Sequence, residues 1–201
     1  MTEAGARLTA DLRGAGPGLL RLMRFDPRWA EGFDASVGGF VRSFAGPLLA
    51  LPAYLVVAAI LSRVQIDAAT ATAVAPDQIF LSRTLDFVLS AAAYPLLIAI
   101  VARVFELGEG YGAFIVVTNW AQVFLNGFLA VASLMALLGD VGVGAFGLTW
   151  LLLTLASLYI TWRAARETLS TDFAPAMLAV VLLVAVDVGT SQLAGLLIPD
   201  K

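Results

Sequence analysis

The chain has no cysteine and no histidine. That double absence removes disulfides, thiolate nucleophiles, the usual zinc ligand sets and imidazole acid–base chemistry together. Charge is scarce as well: 13% of the 201 residues are charged, against roughly a quarter in ordinary soluble domains. Lysine occurs only as Lys201, and arginine carries the rest of the positive charge. A formal net charge of −3 and a pI near 4.8, with no basic run interleaved with aromatics, exclude nucleic acid as a partner. Met1 to Pro17 does not read as a secretory signal, and no lipidation motif is present. No Gly-x-Ser-x-Gly elbow, phosphate loop, dinucleotide fingerprint or intramembrane aspartate pair stands out. The sequence therefore predicts a protein that is not an enzyme, with no catalytic residue, cofactor or metal.

What is abundant is apolar surface. Hydrophobic residues make up 60% of the chain and mean hydropathy is +0.91, more than a soluble fold can hide. Charges are spaced so that long uncharged runs separate them, the punctuation of a bilayer-spanning chain. Ser43 to Ser62 is a first span, with Pro47 and Pro52 set to bend it. A second ends at Arg103 and, counting back about 20 residues, begins near Arg83. A third lies between Glu109 and Asp140, longer than one perpendicular crossing needs, with Asn126-Gly127 as its weakest point. Val141 to Trp162 is a fourth, entered through a flexible glycine-rich stretch from Gly139 to Gly147. The fifth runs from about Phe173 to Ile198 and must carry Asp187 through the membrane. The expected fold is all-α, a polytopic membrane bundle of about five transmembrane helices.

Arginines fix the expected orientation. Arg7, Arg13, Arg21, Arg24, Arg28 and Arg42 precede the first span, Arg103 follows the second, and Arg163 and Arg166 follow the fourth. The positive-inside rule puts the amino terminus in the cytoplasm and the carboxyl terminus outside, in what an arginine- and alanine-rich composition suggests is a bacterial cytoplasmic membrane. Phe33, Val37, Phe40, Val41 and Phe44 recur at helical spacing and predict an interfacial amphipathic helix. The upstream stretch from Leu19 to Arg24 can lie along the surface in the same way, and the residues before that stretch are expected to be flexible because of Gly14 to Gly18 with Pro17. The chain thus divides into a cytoplasmic segment, 1–43, and a five-span domain, 44–201.

Few side chains within the spans are costly to insert. At 1.5 Å per residue from the cytoplasmic end, Arg83 sits at roughly 30 Å, Asp86 at about 25 Å and Asp187 at about 21 Å, one outer layer. A charge there costs on the order of 3 kcal/mol unless paired, so an Arg83 guanidinium bridging Asp86 and Asp187 is expected as a clamp between the second and fifth spans. The same groups also suit a proton or ion relay with Asp187 titrating. Asn119, Gln122 and Asn126 align along one stripe of the third span, either as interhelical glue or as the lining of a polar path. Ser90 to Ala93, Ala132 with Ala136, and Ser191 with Gly195 are small enough for close helix approach.

From Arg103 the segment FELGEGYGAFIVVTNWAQVF resembles the entry to the third span of the Yip family, small polytopic membrane proteins of Rab-GTPase-interacting type. TWLLLTLASLYITWRAARETLSTDFAPAMLAVV is similar to that family's fourth span, short basic loop and fifth span. The Asp-Leu-Tyr-Gly-Pro sequence of its eukaryotic members is not present. The resemblance implies five spans, a cytoplasmic amino terminus, no catalytic residues and a role in membrane organisation. Its expected partners are the lipid bilayer and other membrane proteins or a second copy. The expected function is a membrane-organising or interaction protein presenting its amino-terminal helix and the loop from Arg163 to Asp172. The alternative is a small transporter, channel or transporter subunit using Asp187 and the Asn119/Gln122/Asn126 stripe.

Overall fold

The computed structural model describes residues 3–68, 76–169 and 172–197. Part of the expected loop, Ser170 and Thr171, and the tail from Ile198 to Lys201 lie outside the described residues. Seven α-helices follow in order: α1 Glu3–Met23, α2 Val37–Ser43, α3 Ala45–Ala68, α4 Pro76–Val104, α5 Gly108–Ser133, α6 Asp140–Thr168 and α7 Phe173–Leu197. Two 3-10 segments, Pro27–Gly32 and Leu134–Leu138, join α1 to α2 and extend α5. Among the described residues there is no strand.

Among the described residues five stretches are long and apolar enough to cross a bilayer: Val37–Leu61, Phe80–Val104, Gly108–Leu138, Asp140–Thr168 and Phe173–Leu197. Their outward faces are apolar. Val141 is 87% exposed and Leu196 78%, a state that water would penalise and lipid tails do not. The chain is therefore an integral membrane helical bundle. Its main core gathers Leu19 and Leu22 of α1, Tyr94 and Ile98 of α4, Phe114 and Ile115 of α5, and Ala164 and Ala165 of α6.

Several local expectations need correction. The region before the first span is not flexible: α1 is one unbroken helix through Pro17. Its inner face buries Ala15, Leu19 and Leu22, while Arg13, Pro17 and Leu20 face outward. Pro17 stands where its missing N–H leaves the freed carbonyl near the exposed side, so the break it would impose elsewhere is avoided. The amphipathic helix of the amino-terminal region is thus α1. The Phe33 to Phe44 stretch instead forms the short α2, started by the Ser36 hydroxyl accepting from Gly39 N–H at 3.1 Å, and leads straight into α3. Such a cap supplies one of the acceptors that a helix start lacks.

The third crossing does not weaken at Asn126-Gly127. It stays α-helical to Ser133 and only then tightens to a 3-10 turn. The glycine stretch that follows is helical too, and a single residue makes the link: Gly139 has φ 76° and ψ −160°, a conformation essentially confined to glycine. α4 also begins earlier than expected, at Pro76, so Arg83 and Asp86 lie more than one turn inside it.

Candidate functional site

Asp86 is an aspartate inside a bilayer-crossing helix and only 6% exposed. Its carboxylate accepts at Oδ1 from the Thr190 hydroxyl at 2.7 Å and at Oδ2 from the Tyr54 hydroxyl at 3.3 Å. Thr190 Oγ1 is in turn 2.7 Å from Ser90 Oγ. With one proton on each hydroxyl, the order that satisfies all three is Ser90 to Thr190 to Asp86. Residues of α3, α4 and α7 therefore converge on one acid, and neutral donors, not a cation, hold it.

This acid borders a cavity of about 390 Å³ to which all five crossing helices contribute. α3 supplies Tyr54, α4 Arg83 and Asp86, α5 Gln122 and Asn126, α6 Thr154 and Ser157, and α7 Asp187. A smaller space of about 200 Å³ shares Tyr54, Asp86, Gln122, Asn126, Ser157 and Asp187 and reaches Ser90 and Tyr94. Tyr94 and Val186 of the apolar core border it, so that core lies against this part of the cavity.

Five of the six residues that the sequence marked as a polar cluster meet here: Arg83, Asp86, Asp187, Gln122 and Asn126. Asn119 does not. It is 3% exposed and donates through Nδ2 to Ser43 Oγ at 3.1 Å, at the α2–α3 junction. The close approach it anchors is real: a Cβ on Gly46 would stand 2.5 Å from the Asn119 carbonyl oxygen. The reason is height: seven residues at 1.5 Å set Asn119 about 10 Å along α5 from Asn126, nearly in the same direction, so the near end of the stripe meets the α2–α3 junction and not the cavity.

The expected Arg83 clamp is not formed. Among the described residues no ion pair joins Arg83 to Asp86 or Asp187; Arg83 and Asp187 border the same cavity. The amide glue is likewise confined to Asn119, because Asn126 Nδ2 donates to the Gln122 carbonyl of its own helix at 2.9 Å. Conversely, two aspartates that did not read as a pair face one cavity from α4 and α7. Among the described residues no hydrogen bond joins them, and the bonds that Asp86 accepts come from the hydroxyls of Tyr54 and Thr190.

Tyr54, Ser90, Thr190, Thr154 and Ser157 escaped the sequence reading. Hydroxyls are common in membrane helices, and only Ser90 carried a signal, as a small residue for close helix approach; it does meet Thr190 of α7, and its bond to the donor of Asp86 was not foreseen. Among the described residues no group of three or more acidic side chains is placed to hold a metal. A wider cleft of about 990 Å³ lies at the other end of the same helices, near α1, bordered by Trp29, Arg103, Glu106, Glu109, Tyr111 and Glu167. α1 is fastened there by Arg163, which is 7% exposed, pairs with Glu167 at 2.7 Å and stacks 4.1 Å from the Phe25 ring centroid. Tyr159 adds a bond to the Met23 carbonyl at 3.0 Å. No family model matches the chain, and neither the curated proteins nor the solved structures contain a match.

Proposed function

We propose that this integral membrane protein is a small transporter or transporter subunit whose central cavity receives the species it moves. One observation supports this above all others: every crossing helix contributes a polar or charged side chain to a single cavity. Groups of this kind inside a membrane are costly and are retained where a pathway or a binding event uses them. Packing alone requires no such space, because helices held by polar glue close on one another, as α3 and α5 do at Gly46 and Asn119.

The test is flux through vesicles of purified protein. Wild-type vesicles should pass at least one small polar solute or ion faster than empty ones. Ser157→Phe, which fills the cavity from α6, should stop that flux while the helical content stays intact. Wild-type vesicles as tight as empty ones across a panel of small solutes would reject the transport reading.

A membrane-organising role is the second reading. The cleft bordered by Glu106, Glu109 and Glu167 supports it, being open and large enough for a partner's peptide segment. The resemblance to the Yip family points the same way. That reading expects co-purifying membrane proteins to be lost on Glu109→Arg and kept on Ser157→Phe; partners indifferent to the cleft would count against it.

A further inference from the structure

We infer that the ligand of the central cavity carries one positive charge: a proton, an alkali-metal ion or a small ammonium ion. The inference rests on the transport reading above and names the class of its cargo. The charges around the cavity are few. α4 supplies the Arg83 guanidinium and the Asp86 carboxylate, and α7 supplies the Asp187 carboxylate. The remaining titratable groups are the phenols of Tyr54 on α3 and Tyr94 on α4, both neutral, while α5 and α6 present only amides, hydroxyls and apolar groups. One guanidinium against two carboxylates leaves a single negative charge in a low-dielectric setting, where an uncompensated charge is strongly disfavoured.

The arrangement says how that charge is balanced. Asp86 is held by the hydroxyls of Tyr54 and Thr190, which steady its orientation without neutralising it. Among the described residues the Asp187 carboxylate accepts no hydrogen bond, although the carboxylate borders both spaces. Arg83 borders the same cavity, and among the described residues it forms no ion pair. A monovalent cation between the two carboxylates brings the cavity to neutrality, and oxygen atoms of Gln122, Asn126 and Ser157 are available to such an ion. An anion finds one guanidinium and two opposing carboxylates. A divalent ion overshoots the balance by one charge, so Arg83 sets the valence of the ligand.

The test is the thermal unfolding midpoint of the purified full-length chain in lipid nanodiscs, since a ligand that binds the folded state raises it. Sodium, potassium and methylammonium chlorides are titrated at matched ionic strength against N-methylglucamine chloride. A pH series in alkali-free N-methylglucamine buffer forms the proton arm. One of these arms should give a saturable rise in the wild type and so identify the ion. Asp187→Asn should weaken its apparent affinity at least about tenfold. Arg83→Gln should strengthen it several-fold, which a merely structural arginine would not do. Asn126→Leu, which occupies the cavity and keeps its charges, is the second variant should Asp187→Asn not fold; it too should weaken the apparent affinity at least about tenfold.

No saturable rise in any arm, a rise unchanged in the available cavity variant, or a weakened rise in Arg83→Gln would overturn the inference. Vesicles that pass urea or glycerol while no cation binds would leave the transport reading standing and this inference fallen. Vesicles that pass nothing, with no ion bound, would remove both.

Discussion

Thr190 joins Asp86 through a hydroxyl that valine lacks, at nearly the same volume. Thr190→Val therefore strands one oxygen of a buried carboxylate and should cost about 1–3 kcal/mol, the penalty for an unsatisfied buried group. Equilibrium unfolding in detergent micelles reads it; a loss well under 1 kcal/mol would mean that the hydroxyl is not what holds Asp86. Asp187→Asn, whose carboxylate accepts no hydrogen bond among the described residues, should change stability less than Thr190→Val in the same experiment. The reverse order would contradict the geometry. Charge positions alone put Arg83, Asp86 and Asp187 in one outer layer, and all three border one cavity. Which way each side chain faces was not readable from them, because a 1.5 Å rise fixes height while the neighbouring helix fixes direction. That is why the clamp expected at Arg83 gave way to hydroxyls from Tyr54 and Thr190; Asn119 left the stripe for Ser43 by its height.

At the scale of the element, α1 is where expectation and structure part most. Gly14, Gly16, Pro17 and Gly18 read as a break, yet their small size lets the helix seat. A Cβ on Gly14 would lie 2.9 Å from the Gly32 carbonyl oxygen, and one on Gly16 3.2 Å from the Phe124 ring. Packing here outweighs the helix propensity of glycine, about 1 kcal/mol per residue. α1 is also tied to the first crossing helix by Arg42, whose Nε donates to Asp11 at 2.7 Å and whose Nη2 donates to Asp34 at 2.5 Å. Arg42→Gln should loosen α1 alone, speeding amide exchange over Glu3–Met23 at least about fivefold, on the order of 1 kcal/mol for charge-assisted bonds of this exposure. Equal acceleration in α5 would show that α1 is not a separable layer. Asp34 gives the same joint a pH dependence. Its carboxylate is held below the usual range first by bonds from the Ser36 hydroxyl and N–H, then by Arg42. Because the folded value is the lower one, its contribution is complete above the ordinary carboxylate range and is lost as pH falls through the folded value. Protection factors at the start of α2, which take out the intrinsic slowing of amide exchange in acid, should therefore fall as the pH is lowered, and Asp34→Asn should abolish that dependence. Protection that rises on acidification would reverse the sign.

For the whole molecule, five crossings were legible because long charge-free runs can be hidden only in lipid, and the five apolar stretches stand within a turn or two of where those runs placed them. Sidedness is an expectation from arginine placement. Val141→Cys, at the end far from α1, should react with a membrane-impermeant maleimide on intact cells, and Arg24→Cys, in the exposed turn just past α1, should not. The opposite pattern would invert the protein. The central claim is that the polar cavity is a wet site selective for positive charge and not a packing seam. It meets its most direct test at Ser157, which lines both parts of the cavity. The chain has no native thiol, so Ser157→Cys in lipid nanodiscs reports cavity chemistry without background. The measurement compares its modification rates by a cationic and an anionic methanethiosulfonate of similar size, each normalised to an exposed control cysteine at Arg24. The account predicts that the cationic reagent reacts at least about tenfold faster, a field effect of one net charge in a low-dielectric space, and that Asp187→Asn removes most of that preference. A cysteine that neither reagent reaches, or that both modify at the same relative rate, would contradict it.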